Sequence, residues 1–232
     1  MKKLITIIMA AVMTGMLLCT GCGSMERVDY EAVLLDYLSN RYPDDTFTIS
    51  SNQIDTERNT QDLFSVYFCS GKFPNGGIIA WAEKVDGKYS FEDNYMKYYL
   101  KNDIEAYVHD IAEKYFGECK VFVDFSNYRQ CLPESFPTDA TAEDYLKTGQ
   151  DCYFLAYVSP GHISLQDARE ELKNYKSELE KCEFENIGSA VYIVNDAESF
   201  KNTNSYAGPT GNAHNKSHCD WVGSLETIKM NE

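Results

Sequence analysis

Positive charge is scarce in this chain: 21 Lys and Arg stand against 36 Asp and Glu, a formal net charge of −15. Such a balance repels phosphate backbones and anionic headgroups, which excludes nucleic acid as a partner. It mildly favours a cationic ligand, although the plainest reading of an acidic surface is solubility. Catalytic signatures are missing too. There is no Gly-x-Ser-x-Gly elbow, no His-Glu-x-x-His, no Gly-x-x-x-x-Gly-Lys loop and, past residue 22, no Cys-x-x-Cys. These absences lower the expectation of an enzyme, and nothing calls for a cofactor. Long apolar runs are confined to Leu4–Leu18, too short to span a bilayer as a mature helix. Disorder is excluded in turn, because a composition 44% hydrophobic and 13% aromatic over about 210 residues can bury a real core.

What is present begins with the leader. Lys2 and Lys3, the apolar run, and the small pair Thr20-Gly21 before Cys22 make a secretory signal peptide. Thr20-Gly21-Cys22 resembles the lipobox of bacterial lipoproteins, in which a peptidase cuts before a cysteine whose thiol carries a diacylglyceryl group. One position departs from that pattern: Cys19 stands where the family carries Leu or another aliphatic residue, with Leu18 one step further out. The resemblance implies residues 1–21 as leader, lipidation (palmitate-type acylation) at Cys22, and attachment to the extracytoplasmic face of the cell membrane. Two acyl chains at about 0.8 kcal/mol per buried CH₂ give a stable anchor. Loss of Lys2 and Lys3 leaves 19 basic against 36 acidic residues, a net charge of −17. Residues 22–28 are then a tether reaching on the order of 20 Å. On leader and composition alone, the chain resembles the uncharacterised small surface lipoproteins of gut-type Firmicutes.

Periodicity organises the rest into an α+β fold: antiparallel β-meanders with helices packed on one face, in one domain of two related halves or two closely associated ones, 29–118 and 119–232. A helix starts at Asp29 with the stripe Tyr30, Val33, Leu34, Tyr37, Leu38 and stops before Pro43. Strand segments follow at 46–50, 63–73, 77–85 and 88–91, separated by Pro74-Asn75-Gly76-Gly77 and Asp86-Gly87 turns. One long helix is expected over 94–116, ended by Gly117. Then come a strand at 119–125, a loop over 130–138, a short helix opened by Thr141, and a strand at 152–158. A helix opened by Ser164, and strands at 190–194 and 221–228, complete the chain. Between the last two strands, 199–219 reads as a long polar loop. The helix-then-meander start resembles, in architecture alone, the curved sheets of cystatins and nuclear transport factor 2, and implies no activity.

Three features could carry chemistry. His214, His218, Cys219 and Asp220 place metal-ligand types within seven residues, but His214 and His218 converge only on a helix, and Gly208, Pro209 and Gly211 argue for a loop. Cys69, Cys119, Cys131, Cys152, Cys182 and Cys219 permit three disulfides in any of 15 pairings, or remain buried thiols. The 17 tyrosines suit recognition of peptides, glycans or protein surfaces, and equally suit packing. The leading functional expectation is therefore a membrane-anchored, non-catalytic binding or accessory module with a protein, peptide or glycan partner. An envelope hydrolase using the His214–Asp220 loop, or a solute-binding receptor of a transporter, stand as alternatives.

Overall fold

The computed structural model describes residues 29–51, 59–125, 127, 129–184, 186–194 and 196–204, and the backbone of 217–222. It is a mixed α+β fold with two sheets. The first helix, α1 (Tyr30–Arg41), starts where Asp29 accepts the Ala32 amide at 3.1 Å. Its stripe buries Leu34 and Leu38, while Tyr30 stacks on Phe64 and Tyr37 on Phe91. Beneath it lies an antiparallel sheet of β1 (Phe47–Ile49), β2 (Leu63–Ser70), β3 (Ile78–Val85), β4 (Lys88–Asp93) and β6 (Leu132–Pro133), in the order β1-β2-β3-β4-β6. The Asp86-Gly87 turn, with φ of 51° and 80°, joins β3 to β4 in the tight hairpin its residues demand. Leu132–Pro133 lies within the segment expected to be loop, yet pairs with Glu92 and Asp93 of β4.

The expected long helix is two helices, α2 (Tyr95–Tyr99) and α3 (Lys101–Phe116). They meet at Leu100, whose ψ of −2° turns the backbone out of the regular helical path. Tyr95 and Met96 of α2 are buried in the common core, and α3 lies along β5 (Cys119–Asp124) through Ile104, Val108, Ile111 and Ala112. The break thus lets a single stretch of chain serve two packing directions. Gly117 ends α3 with φ 71° and ψ −150°, a conformation open essentially to glycine alone, and an added Cβ there would lie 3.2 Å from the His162 ring. Gly117→Ala should therefore cost about 1–3 kcal/mol in urea unfolding, and a loss under ~0.5 kcal/mol would show that the turn relaxes freely.

The second sheet has the order β5-β7-β8-β9, with β7 (Cys152–Val158), β8 (Ile187–Ile193) and β9 (Ser217–Val222). Its entry helix α4 (Ala142–Leu146) carries a full capping box between Thr141 and Asp144. One pair departs from the antiparallel meander. β7 and β8 run parallel, because α5 (Leu165–Lys181) carries the chain back to the same end of the sheet, the crossover a parallel pair requires. Helix α5 packs Tyr175 edge-on to Phe116 of α3 at 5.3 Å. Buried residues of both sheets and of α1 to α5 form one contiguous cluster, from Leu34 and Phe64 to Phe154 and Val191.

Two corrections fall on the polar stretch after β8. Residues from Ala197 to Asn202 are a helix, α6, capped by Asp196 accepting the Ser199 amide at 2.8 Å. Its last carbonyls are satisfied from far away by Lys120 of β5, whose Nζ donates to Phe200, Lys201 and Thr203 oxygens at 2.8, 2.9 and 3.3 Å. The last described strand is Ser217–Val222, which begins four residues before the expected 221–228 and pairs with β8; residues 223–228 lie outside the described residues. At the open edge of the sheet, α3 reaches β5 from the side: Glu105 accepts the Val123 amide at 3.0 Å, and His109 Nε2 lies 3.2 Å from the Cys119 carbonyl. No described helix is long and apolar enough to cross a membrane.

Candidate functional site

Three tyrosines and an arginine converge on one carboxylate where α1 ends against the exit of β4. Asp93, only 2% exposed, accepts from the Tyr37 hydroxyl at 2.6 Å, the Tyr42 hydroxyl at 2.9 and 3.1 Å, and the Tyr95 amide at 2.9 Å. Arg41 Nε sits 3.5 Å away and donates to the Tyr42 hydroxyl. The same guanidinium donates to the Glu134 and Phe136 carbonyls, so α1, β4 and the segment after β6 share one polar knot. Next to it Asn94 extends the β3 ladder by accepting from the Ile79 amide and donating to the Gly77 carbonyl. Burial pushes the Asp93 carboxyl up, against donors from Tyr37, Tyr95, Tyr42 and Arg41 that pull it down. Burial and then the Asp93 charge push the Tyr37 and Tyr42 phenols far above their ordinary value. The hydrogen bonds from both phenols to the buried carboxylate fix the Tyr37 and Tyr42 rings in place.

This knot backs a cleft of about 250 Å³ lined by Arg41 to Asp45, Lys72, Tyr95, Met96, Tyr99 and Thr138. Its aromatic wall is layered: Tyr42 stacks on Tyr95 at 4.0 Å, and Tyr95 on Tyr99 at 6.2 Å and 20°. Phe73 supports Tyr95 edge-on at 5.4 Å, leaving Tyr99 48% exposed. Asp45 is fixed by the Thr46 and Lys72 amides at 2.7 and 3.0 Å and by the Ser70 hydroxyl. Although burial raises it, those hydrogen bonds and one from Tyr95 hold the Asp45 carboxyl below its ordinary range. Gly71 permits this approach, since a Cβ there would fall 2.4 Å from the Thr46 hydroxyl. Within the lining, the Asp44, Lys72 and Thr138 side chains and the Tyr99 hydroxyl make no hydrogen bond or ion pair with another described residue.

A second buried charge lies on the other side of α2. Lys97 is 3% exposed, donates to the Asn127 carbonyl at 2.8 Å and lies 5.1 Å from the Phe125 ring centre. Burial lowers its ammonium to about 8, against weaker opposing effects of Cys131, Cys152, Asp124 and Asp151.

The sequence candidates lie elsewhere. Cys22 and His214 fall outside the described residues. His218 and Cys219 lie on β9 opposite Tyr192 and Val191, in extended backbone that cannot supply the helical spacing a His214–His218 pair needs. Among the described residues, no group of three or more His, Cys, Asp or Glu is placed to hold a metal. Cys69, Cys119, Cys131, Cys152 and Cys182 are free thiols, and burial raises Cys119 and Cys152 to about 12. Sequence reasoning did not find Asp93 or the cleft. Arg41-Tyr42 and the cluster Tyr95, Tyr98, Tyr99 stood out, but their shared partner lies 51 residues from Tyr42 and no spacing rule connects them.

No protein-family model matches the chain, and no curated protein is found similar to it. Among solved structures it is similar to a DUF5037 family protein from Ruminococcus gnavus ATCC 29149, a Firmicute. The identity is 10% over 88% of this chain and 95% of that one, with a TM-score of 0.40. This likeness is distant and bears on neither activity nor ligand.

Proposed function

We propose that the protein is a lipoprotein anchored through Cys22 to the extracytoplasmic face of the membrane, and that its folded part is a non-catalytic binding module. The observation that carries the binding reading is the cleft, where a layered tyrosine wall and a pinned carboxylate meet exposed polar side chains. Pockets of this kind orient a ligand through a few fixed polar groups against aromatic surface. Among the described residues neither a thiol nor an imidazole lines it. The leader supports the location: Thr20-Gly21 is the small pair set before a cysteine at the end of the apolar run.

Two measurements test this reading. Cells fed an alkyne palmitate analogue should label the wild-type protein in the membrane fraction, while Cys22→Ser should be unlabelled and either released or left unprocessed. An unmodified Cys22 in membrane-extracted wild type, or a mature start elsewhere, would remove the anchor. For the module, small polar ligands should perturb nuclear resonances of Tyr95, Tyr99 and Lys72 in the Cys22→Ser chain. Perturbations confined to other surfaces would move the binding site away from the cleft.

A further inference from the structure

Resting on the reading of the cleft as a binding surface, we infer that its ligand is a neutral carbohydrate, taken as one sugar ring stacked on Tyr99. Size comes first. A volume of about 250 Å³ falls just under the range of drug-sized pockets, so the cleft admits one ring rather than an extended chain. Charge comes next. Arg41 and Lys72 offset Asp44 and Asp45, so the lining carries no net sign with which to select an ion.

Moreover, the two charges best placed to hold an ion are already spent within the protein. Asp45 accepts from Ser70, Thr46 and Lys72, and Arg41 serves Asp93, Tyr42 and two carbonyls. What remains for a ligand is the exposed pair Asp44 and Lys72, the Thr138 hydroxyl and the face and hydroxyl of Tyr99. Ion contacts at exposed positions are screened and contribute little, which weakens the case for a zwitterion or a quaternary ammonium. An aromatic face is not screened. The axial C–H face of a pyranose fits a tyrosine ring, and its ring of hydroxyls, each donor and acceptor, matches an acceptor (Asp44), a donor (Lys72) and a group that is both (Thr138). Tyr95 and Tyr42 stacked behind Tyr99 fix the platform before the ligand arrives, which lowers the entropic cost of binding.

The test is saturation-transfer nuclear magnetic resonance on the full Cys22→Ser chain. Probes are the methyl glycosides of glucose, galactose, mannose and N-acetylglucosamine, set against glycine, alanine and choline. At least one glycoside should bind, with a dissociation constant on the order of millimolar. Tyr99→Ala should weaken it about tenfold, and Tyr99→Phe should keep it within about threefold, with both variants melting like the parent. Raising salt to about 0.5 M should leave glycoside affinity unchanged. Binding of glycine, alanine or choline in place of every glycoside, lost in salt, would overturn the ligand class and leave the cleft as the binding surface. Glycoside binding indifferent to Tyr99→Ala would overturn the platform. No perturbation of cleft residues by any probe would overturn both the ligand class and the module.

Discussion

Asp93→Ala should lose about 3–5 kcal/mol of stability, the usual consequence of removing one partner from a buried charge pair. The carboxylate is enclosed by Tyr37, Tyr42, the Tyr95 amide and Arg41, and its loss strands the buried Tyr42 hydroxyl and Tyr95 amide without their acceptor. Arg41 would be left beside an empty site while still held by the Glu134 and Phe136 carbonyls. Tyr37→Phe removes one hydroxyl donor from the same carboxylate and should cost only about 1 kcal/mol. Urea denaturation of the two variants measures both. A loss under ~1 kcal/mol for Asp93→Ala would mean that water fills the carboxylate's place, and the rigidity assigned to Tyr42 and the cleft wall would have to be withdrawn.

Wild-type stability should rise relative to Lys97→Met by about 2 kcal/mol between pH 7 and about pH 9.5, at roughly 1.4 kcal/mol for each pH unit between the folded and unfolded values. The folded ammonium titrates at about 8, below its ordinary 10.5. Under pH 8 both states are protonated, and the folded protein bears the whole cost of a buried charge. Above it the folded lysine gives up its proton first, so the unfolded chain holds more protons and folding gains. Buried Cys119, Cys131 and Cys152 act in the opposite sense, because their raised values cost stability once the unfolded thiols ionise. Both proteins share that loss, and it cancels in the difference. Lys97→Met keeps the stem and removes the charge, so it should equal or exceed wild type at neutral pH. A difference independent of pH would show the ammonium to be hydrated.

These two charges also mark where sequence reading stops. Features set by neighbours in the chain were legible: the Asp29, Thr141 and Ser164 caps, the Asp86-Gly87 hairpin, the Gly117 stop and the α+β class all follow from local chemistry. Features set by distant partners were not. Lys97 sits on a helix whose pattern reads as amphipathic, and only the Asn127 carbonyl and the Phe125 ring, about 30 residues on, explain its burial. Helix α6 looked like loop because its C-terminal carbonyls are met by Lys120, some 80 residues earlier. The pairing of β7 with β8 depended on where α5 returned the chain, which neither strand encodes. The cleft combines both kinds of information. Its tyrosines were conspicuous, but the carboxylate that locks Tyr42 into its wall was one acid among 36.

The side chains of Glu105 and His109 at the open edge of β5 bear on how copies of this protein behave in a crowd. An edge strand offers outward amides and carbonyls on which another chain can add, and for a protein held at a membrane, as proposed above, encounters between copies occur in two dimensions at high local density. Helix α3 already answers two of those groups, the Val123 amide and the Cys119 carbonyl. In the other sheet the outer strands β1 and β6 are three and two residues long, too short to template a lasting ladder. Crowding at a surface thus meets a β5 edge on which two groups are already answered, and outer strands β1 and β6 with little length to offer a newcomer.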